Sequence, residues 1–418
     1  MNILVVGSGG REHALAFKLR DSDKCEKLYA MPGNPGMKNI AECVPDVDIN
    51  NNEAVVKFCQ THYIDLAVIG PEAPLVNGLA DALAAAHIKV FGPKKTAAQL
   101  EGSKAFAKNL MKKYGIPTAR YEIFADAARA RSYVRQMGAP IVVKADGLAA
   151  GKGVTVAETV DAAVEAVDAA LTNTGAKVVI EEYMEGEEAS LLAFADGETV
   201  IPMISAQDHK RAFDGDKGAN TGGMGAYAPA PVVTKEIVEE VTNKILKPTI
   251  AAMKELGCPY QGCLYAGLMI TDEGAKVVEF NCRFGDPETQ VVLPLLDGDL
   301  AEIMMACAEG NLGGIKINWR DESAACVVMA SGGYPGEYEK GFPITGIDEA
   351  HEKGCMIFQA GTKEEGNELV TNGGRVLGVV ALDKNLRQAV KSAYDGVAQI
   401  DFKNAFYRKD IAHRALKG

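Results

Sequence analysis

The chain has 418 residues, 47% of them apolar, and a formal net charge of -12. That length exceeds one compact core, so two to four domains are expected. An acidic balance with no concentrated basic block argues against a nucleic-acid partner held through its phosphates, and the absence of any run of about 18 apolar residues argues against a membrane-spanning helix.

The first hundred residues alternate short apolar runs (Ile3 to Val6, Leu66 to Ile69, Lys89 to Phe91) with helical patterns at Arg11 to Arg20, Glu53 to His62 and Leu75 to His87. This predicts a parallel α/β domain over 1–101. A charged helical pattern from Thr96 to Tyr114 stops at Gly115, and Pro117 bars its continuation. Next come a strand at Ile141 to Lys144, a glycine loop, a strand at Gly153 to Val156, a helix at Asp161 to Leu171 and a strand at Lys177 to Glu181. They read as a small α+β lobe over 121–189. Strands at Leu264 to Ile270 and Lys276 to Phe280, with a long helical pattern from Lys235 to Leu256, predict a central platform from 102–120 and 190–322. Short β-rich runs at Ala324 to Ala330 and Val376 to Leu382 and a helix at Leu386 to Ile400 predict a separate C-terminal domain over 323–418.

Nine cysteines are scattered along the chain, and the one close pair, Cys258 and Cys263, lacks a second pair to complete a zinc site. Reduced, buried thiols in a cytoplasmic protein are expected. The N-terminus runs straight into a strand without a basic leader, which agrees.

Several segments carry chemistry. Val143 to Val154 joins two strand patterns through small residues and two lysines, Lys144 and Lys152. Glycines there admit phosphate oxygens to the backbone while lysine offsets their charge. It is not a Walker loop, because Gly153 stands where Ser or Thr is needed and a strand follows instead of a helix. Val178 to Met184 is an apolar strand ending in carboxylates, suited either to a nucleotide's edge or to an ordinary surface. Glu279, Asn281 and Arg283 alternate along a strand, so they share a face. Two oxygen ligands beside a guanidinium suit a divalent ion on phosphates and a stabiliser of transferred phosphoryl charge. The loop Gln207 to Tyr227 is dense in charge, amide and glycine, as a substrate loop would be, although a lone His209 is weak evidence for a general base. Gly7 to His13 follows a strand as a phosphate-binding turn would. As a nicotinamide fingerprint it fails, with Glu12 at the last glycine position. Pro32 to Gly36 and Gly70 to Glu72 follow later strands of the same sheet and complete an expected cleft for a phosphorylated ribose.

Taken in order, Gly7 to His13, Pro32 to Gly36, Gly70 to Leu75, Lys144 to Val154, Asp208 to Tyr227 and Asn281 to Gln290 resemble the ATP-grasp superfamily and, within it, the glycinamide ribonucleotide synthetases. Arg283 to Glu288 is the most family-specific piece, and Gly361-Thr362 and Gly374 to Leu377 also fit. The resemblance implies an α/β N-terminal domain, a two-lobed ATP-grasp core and a small β-rich C-terminal domain. It implies ligation of glycine to 5-phosphoribosylamine with ATP, through glycyl phosphate, in de novo purine synthesis, using Mg2+ or Mn2+. Residue by residue, it implies ATP phosphates at Lys104 and Lys144 under a mobile loop of Gly151, Lys152 and Gly153. It places adenine at Glu182, Tyr183 and Met184, and ribose at Glu188. It further implies metal at Glu279 and Asn281, catalysis by Arg283 with Lys144, and the amino substrate near Asp214, Asp286 and Glu288. The ribosyl phosphate would sit at Gly9, Gly10, Arg11, Asn34, Gly36 and Glu72. Many superfamily ligases carry a further metal-binding glutamate on the preceding strand, where Leu268 is expected here, so one protein-anchored ion is expected. A single activity is expected because the chain ends soon after the C-terminal domain, and a monomer with no nucleic-acid or membrane partner is expected.

Overall fold

The computed structural model describes residues 1–148 and 153–417. Five parallel strands open the chain, in the order Glu42–Cys43, Lys27–Pro32, Asn2–Gly7, Leu66–Ile69, Lys89–Phe91. The strands Asn2–Gly7 and Leu66–Ile69 are unbroken apolar runs because helices cover both faces of the sheet. One of those helices, Gly10–Arg20, packs on the first strand. The helix expected from Leu75 to His87 is two helices, Glu72–Val76 and Leu79–Ala85, parted at Gly78, whose φ of +87° ends the first turn run.

The charged helical pattern from Thr96 also divides, into Gln99–Gly102 and Lys104–Tyr114. Ser103 between them is extended, and its hydroxyl accepts the Phe106 N–H as an N-cap. That break turns the Lys104 end of the second helix towards the small lobe, where Ser103 Oγ also donates to the Asp146 carboxylate at 3.1 Å. The lobe is a four-stranded antiparallel sheet, in the order Tyr121–Phe124, Val178–Glu182, Ile141–Ala145, Val154–Ala157, packed on helices Ala127–Met137 and Val160–Ala170.

The platform is a second antiparallel sheet, in the order Val200–Pro202, Glu187–Asp196, Gln261–Thr271, Gly274–Asn281. The long pattern from Lys235 forms helices Lys235–Val241 and Lys247–Glu255 joined by a π-helical segment, Thr242–Leu246. Pro248 explains the widening, since its ring would meet the carbonyl four residues back in a regular turn.

The last sheet does not begin at residue 323. Its strands run Gln207–Asp208, Gly225–Ala228, Ser323–Ala330, Arg375–Asp383, Met356–Gln359, so two come from the loop assigned to the platform. The helix Leu386–Val397 packs on this sheet. A domain cut at 323 therefore passes through one continuous sheet. All nine cysteines are free, eight of them buried, and no described helix is long and apolar enough to cross a membrane.

Candidate active site

A cleft of about 630 Å³ opens where the lobe, the platform, the N-terminal sheet and the C-terminal sheet meet. Its lining includes Arg11, Glu72, Lys104, Lys144, Gly153, Glu182, Tyr183, Met184, Glu188, Glu279, Asn281, Arg283, Asp286 and Glu288. Gly151 and Lys152 lie outside the described residues.

The lysine side of the cleft is preorganised. Lys144, near the end of its strand, places Nζ 3.0 Å from Glu181 Oε2 and donates to the Val278 carbonyl at 2.9 Å. Lys108 reaches the same Glu181 oxygen at 3.1 Å. All three side chains are almost fully buried, and the other Glu181 oxygen has no protein partner. Burial pulls the Lys108 ammonium down to about 8 against the attraction of Glu181. Lys104 donates to the Gly147 carbonyl at 2.8 Å, and burial lowers its pKa as well. Two buried ammonium groups on one carboxylate, with Lys104 as a third cation of the cleft, leave positive charge that further anions would compensate.

Opposite it, the strand Gly274–Asn281 sets Glu279 and Asn281 on one face. Asn281 Nδ2 lies 3.4 Å from Glu279 Oε1, and Asn281 Oδ1 accepts from Arg283 Nη2 at 3.2 Å. Arg283 lies just beyond the strand's end, held by two carboxylates from other elements: Glu101 at 3.0 Å and Glu72 at 3.3 Å. Burial would lower the Arg283 pKa, but the two carboxylates raise it far above the ordinary value. Glu101 also accepts the Cys282 N–H at 2.7 Å, so it clamps both the backbone and the guanidinium. Burial alone would raise Glu72, yet Arg283 brings it below the usual range. Glu72 thus faces the cleft as the partner of Arg283.

The register corrects one expectation. A bulge between Gly267 and Leu268 sets Gly267, not Leu268, opposite Glu279. Leu268 pairs with Val277 and is buried in the platform core. A Cβ on Gly267 would lie 3.3 Å from Glu279 Cγ, so this position offers no further oxygen ligand.

A third group joins cleft and platform. Ser190 Oγ and Tyr265 Oη are 2.7 Å apart, and Tyr265 donates to Glu288 Oε1 at 2.7 Å. Burial, then the nearby Asp208 charge, raises the Glu288 pKa. Lys210 bridges Glu188 at 2.8 Å and Asp208 at 2.9 Å, and these carboxylates raise its pKa despite burial. Asp286 is pulled below the usual range by Arg375 and Arg11, against the opposing effect of burial. Also lining the cleft, Glu182 accepts from the Arg120 N–H at 2.9 Å, while Tyr183 is exposed and Met184 half-buried.

Other expected residues lie elsewhere. The Asp214 carboxylate accepts the Lys409 N–H at 2.8 Å in an exposed hairpin turn and does not line the cleft. Asn34 is buried and spent on the fold, donating to the Ser8 and Gln359 carbonyls and accepting from Gly36 N–H. Gly36 lines a separate crevice of about 670 Å³ between the N-terminal and C-terminal sheets. Gly9 and Gly10 sit behind the wall, where a Cβ would meet Glu12 and Gln290 respectively. Conversely, Glu101, Lys108, Asp208, Lys210, Tyr265, Tyr334 and Arg375 line the cleft without having been singled out. Asp208 and Lys210 lie in the expected substrate loop Gln207 to Tyr227, and Arg375 lies in the family-like segment Gly374 to Leu377. Glu101 had no signal, since its partners come from a strand end some 180 residues away.

Two antiparallel lobes closing on paired lysines, with an acid–amide corner opposite, define an ATP-grasp enzyme. Three family models match the chain: the phosphoribosylglycinamide synthetase N domain at residues 1–101, the ATP-grasp (A) domain at 102–289 and the C domain at 324–414. The chain belongs to the phosphoribosylglycinamide synthetase family. A phosphoribosylamine–glycine ligase of Rhizobium meliloti is 54% identical over 100% of this chain and 99% of its own. The chloroplastic ligase of Arabidopsis thaliana is 52% identical over 97% of this chain and 79% of its own. The crystal structure of the Thermotoga maritima ligase superposes with a TM-score of 0.84 at 32% identity, covering 99% of this chain and 100% of that one.

Proposed function

We propose that this chain ligates glycine to 5-phosphoribosylamine at the expense of ATP, yielding glycinamide ribonucleotide, ADP and phosphate in de novo purine synthesis. The observation that carries the reading is the convergence of Lys104, Lys144, Glu279, Asn281 and Arg283 on one cleft that the N-terminal Arg11 also enters. A glycine carboxylate oxygen attacks the γ-phosphorus, the bond to the bridging oxygen breaks, and ADP leaves. The amine nitrogen of phosphoribosylamine then attacks the acyl carbon, loses a proton, and expels phosphate from the mixed anhydride.

In this reading, the lysines bind and orient the phosphates, and Arg283 lies beside the phosphoryl group in flight, where its fixed charge is most effective. Glu182, Tyr183 and Met184 border the adenine, Glu188 the ribose, and Asp286 and Glu288 the amino substrate. Glu279 and Asn281 would hold a divalent ion, Mg2+ or Mn2+, for which a carboxylate and an amide oxygen are suitable hard donors. The described residues contain no cluster of three His, Cys, Asp or Glu side chains to cage it, so the ion would need further oxygen donors from outside the protein. Bound there, the ion would draw charge off the β- and γ-phosphates. Free, mostly buried thiols support a reducing compartment, and we place the enzyme in the cytoplasm as a monomer.

The test supplies ATP, glycine and freshly generated phosphoribosylamine and detects the product by mass. Glycinamide ribonucleotide should form together with ADP, and only when both acceptor and glycine are present. ADP release that ignores either of them would sink the assignment.

A further inference from the structure

Arg375 is the first residue of the strand Arg375–Asp383, and its side chain crosses from the C-terminal sheet into the cleft. Its Nη1 donates to the carbonyls of Gly222 at 2.8 Å, Gly223 at 3.3 Å and Asp286 at 2.8 Å, and lies 3.3 Å from Asp286 Oδ1. One nitrogen with two hydrogens therefore ties together two backbone segments far apart in sequence, in a shared, multi-centre arrangement. Both glycines pack closely against this arrangement. A Cβ on Gly222 would lie 2.9 Å from Arg375 Cζ, and one on Gly223 would lie 2.4 Å from Pro287 Cδ. Gly223 also has φ +116°, a conformation that suits glycine. Tyr334 closes the arrangement by accepting the Gly222 N–H at 3.2 Å.

We propose that Arg375 is a positioning residue for the acceptor half of the ligation. It fixes the Gly222–Gly223 backbone and the Asp286 backbone, so that the Asp286 carboxylate stands where the Arg11 N–H reaches it at 3.3 Å and Gln290 Nε2 at 2.9 Å. This wall joins the N-terminal helix to the C-terminal sheet, whereas the lysines and the metal corner make none of these contacts. The inference rests on the functional reading above, because it divides that reaction into a nucleotide half and an acceptor half.

Steady-state kinetics with each substrate varied in turn test it, alongside thermal melts. Arg375→Ala should raise the KM for phosphoribosylamine about tenfold or more and leave the KM for ATP within about threefold. Gly222→Ala alters no charge but presses a methyl group onto the guanidinium, and should give the same split at about threefold or more. Arg375→Lys, whose ammonium can reach the same carbonyls, should recover most of the loss. Combining Arg375→Ala with Asp286→Asn should cost less than about twofold beyond the worse single variant, since both act through one carboxylate. A parallel rise in the KM for all three substrates, or additive losses in the double variant, would overturn the proposal. If Arg375→Ala does not fold, Gly222→Ala and Arg375→Lys decide the matter. Wild-type protein that makes no glycinamide ribonucleotide overturns the functional reading itself, while a working wild type with an unaffected Arg375→Ala overturns this inference alone.

Discussion

The two walls of the cleft are built on different principles. The wall to which we assign the nucleotide takes Lys144, Glu279 and Asn281 from two strands, where backbone pairing sets the direction of each side chain. The acceptor wall takes Arg11 from a helix of the N-terminal domain, Asp286 from a turn and Arg375 from the C-terminal sheet. Arg11 and Asp286 are 275 positions apart. Each half of the first wall is held by its own sheet, Lys144 by that of the small lobe and Glu279 and Asn281 by that of the platform. The second is rigid only while the domains stay docked, and ion pairs such as Arg375 to Asp286 hold that docking.

Arg283 sits where the walls meet, and removing it should have the largest effect. Arg283→Ala is expected to lower kcat by about 10²–10³ while the protein still binds ATP. Equilibrium nucleotide binding beside turnover checks this, and unchanged turnover would end its assignment to phosphoryl transfer. Because Glu72 and Glu101 both lean on that guanidinium, their mutual repulsion should also loosen the junction.

A more moderate loss is expected at the C-terminal strap. Arg408 is fully buried and pairs with Asp216 at 2.9 Å and Asp410 at 2.8 Å, while Arg414 reaches Asp216 at 3.0 Å. The buried His209 accepts the Ala412 N–H at 2.9 Å, which places it in this strap and not in the cleft. Asp216→Asn should therefore lose about 2 kcal/mol in urea unfolding, a figure already reduced for the partial exposure of Asp216. Its KM for ATP should stay unchanged if the nucleotide wall stands by itself. A raised KM for ATP would mean that the two walls are coupled through the hairpin.

The smallest effect tests domain docking by pH. His13 is buried, and its Nδ1 accepts the Gln359 N–H at 2.9 Å, joining the N-terminal helix to the C-terminal sheet. Burial lowers its pKa from 6.5 to about 4. Between those values the unfolded chain binds more protons than the folded one, so stability falls as pH drops from 6.5 towards 4. His13→Asn keeps an acceptor near Nδ1 without titrating, and should flatten part of that decline, by about 1–3 kcal/mol. Identical unfolding profiles of variant and wild type at pH 7 and pH 4.5 would contradict a neutral, docked His13.

Much of the nucleotide wall was legible before any coordinates. A two-residue alternation of Glu279, Asn281 and Arg283, and a glycine loop between two strands, announce themselves through local periodicity, which the backbone enforces within a few residues. Even so, the resemblance put Leu268 at the facing position where the structure has Gly267, because a bulge is not visible in side-chain pattern. Asn34 and Asp214, to which the resemblance assigns substrate roles, make hydrogen bonds to the fold's own carbonyl and N–H groups, and a polar loop residue looks the same in sequence in either role.

Short-range geometry and charge in the sequence therefore specify the parallel N-terminal sheet, the strands of the small lobe and the shared face of Glu279 and Asn281. Only the tertiary structure decided that Glu101 clamps Arg283, that two strands before residue 230 complete the C-terminal sheet, and that Arg375 reaches across to Asp286. Those contacts join segments tens to hundreds of residues apart, and no local pattern encodes them. They arise when several domains bury their edges together and each buried charge must find its partner.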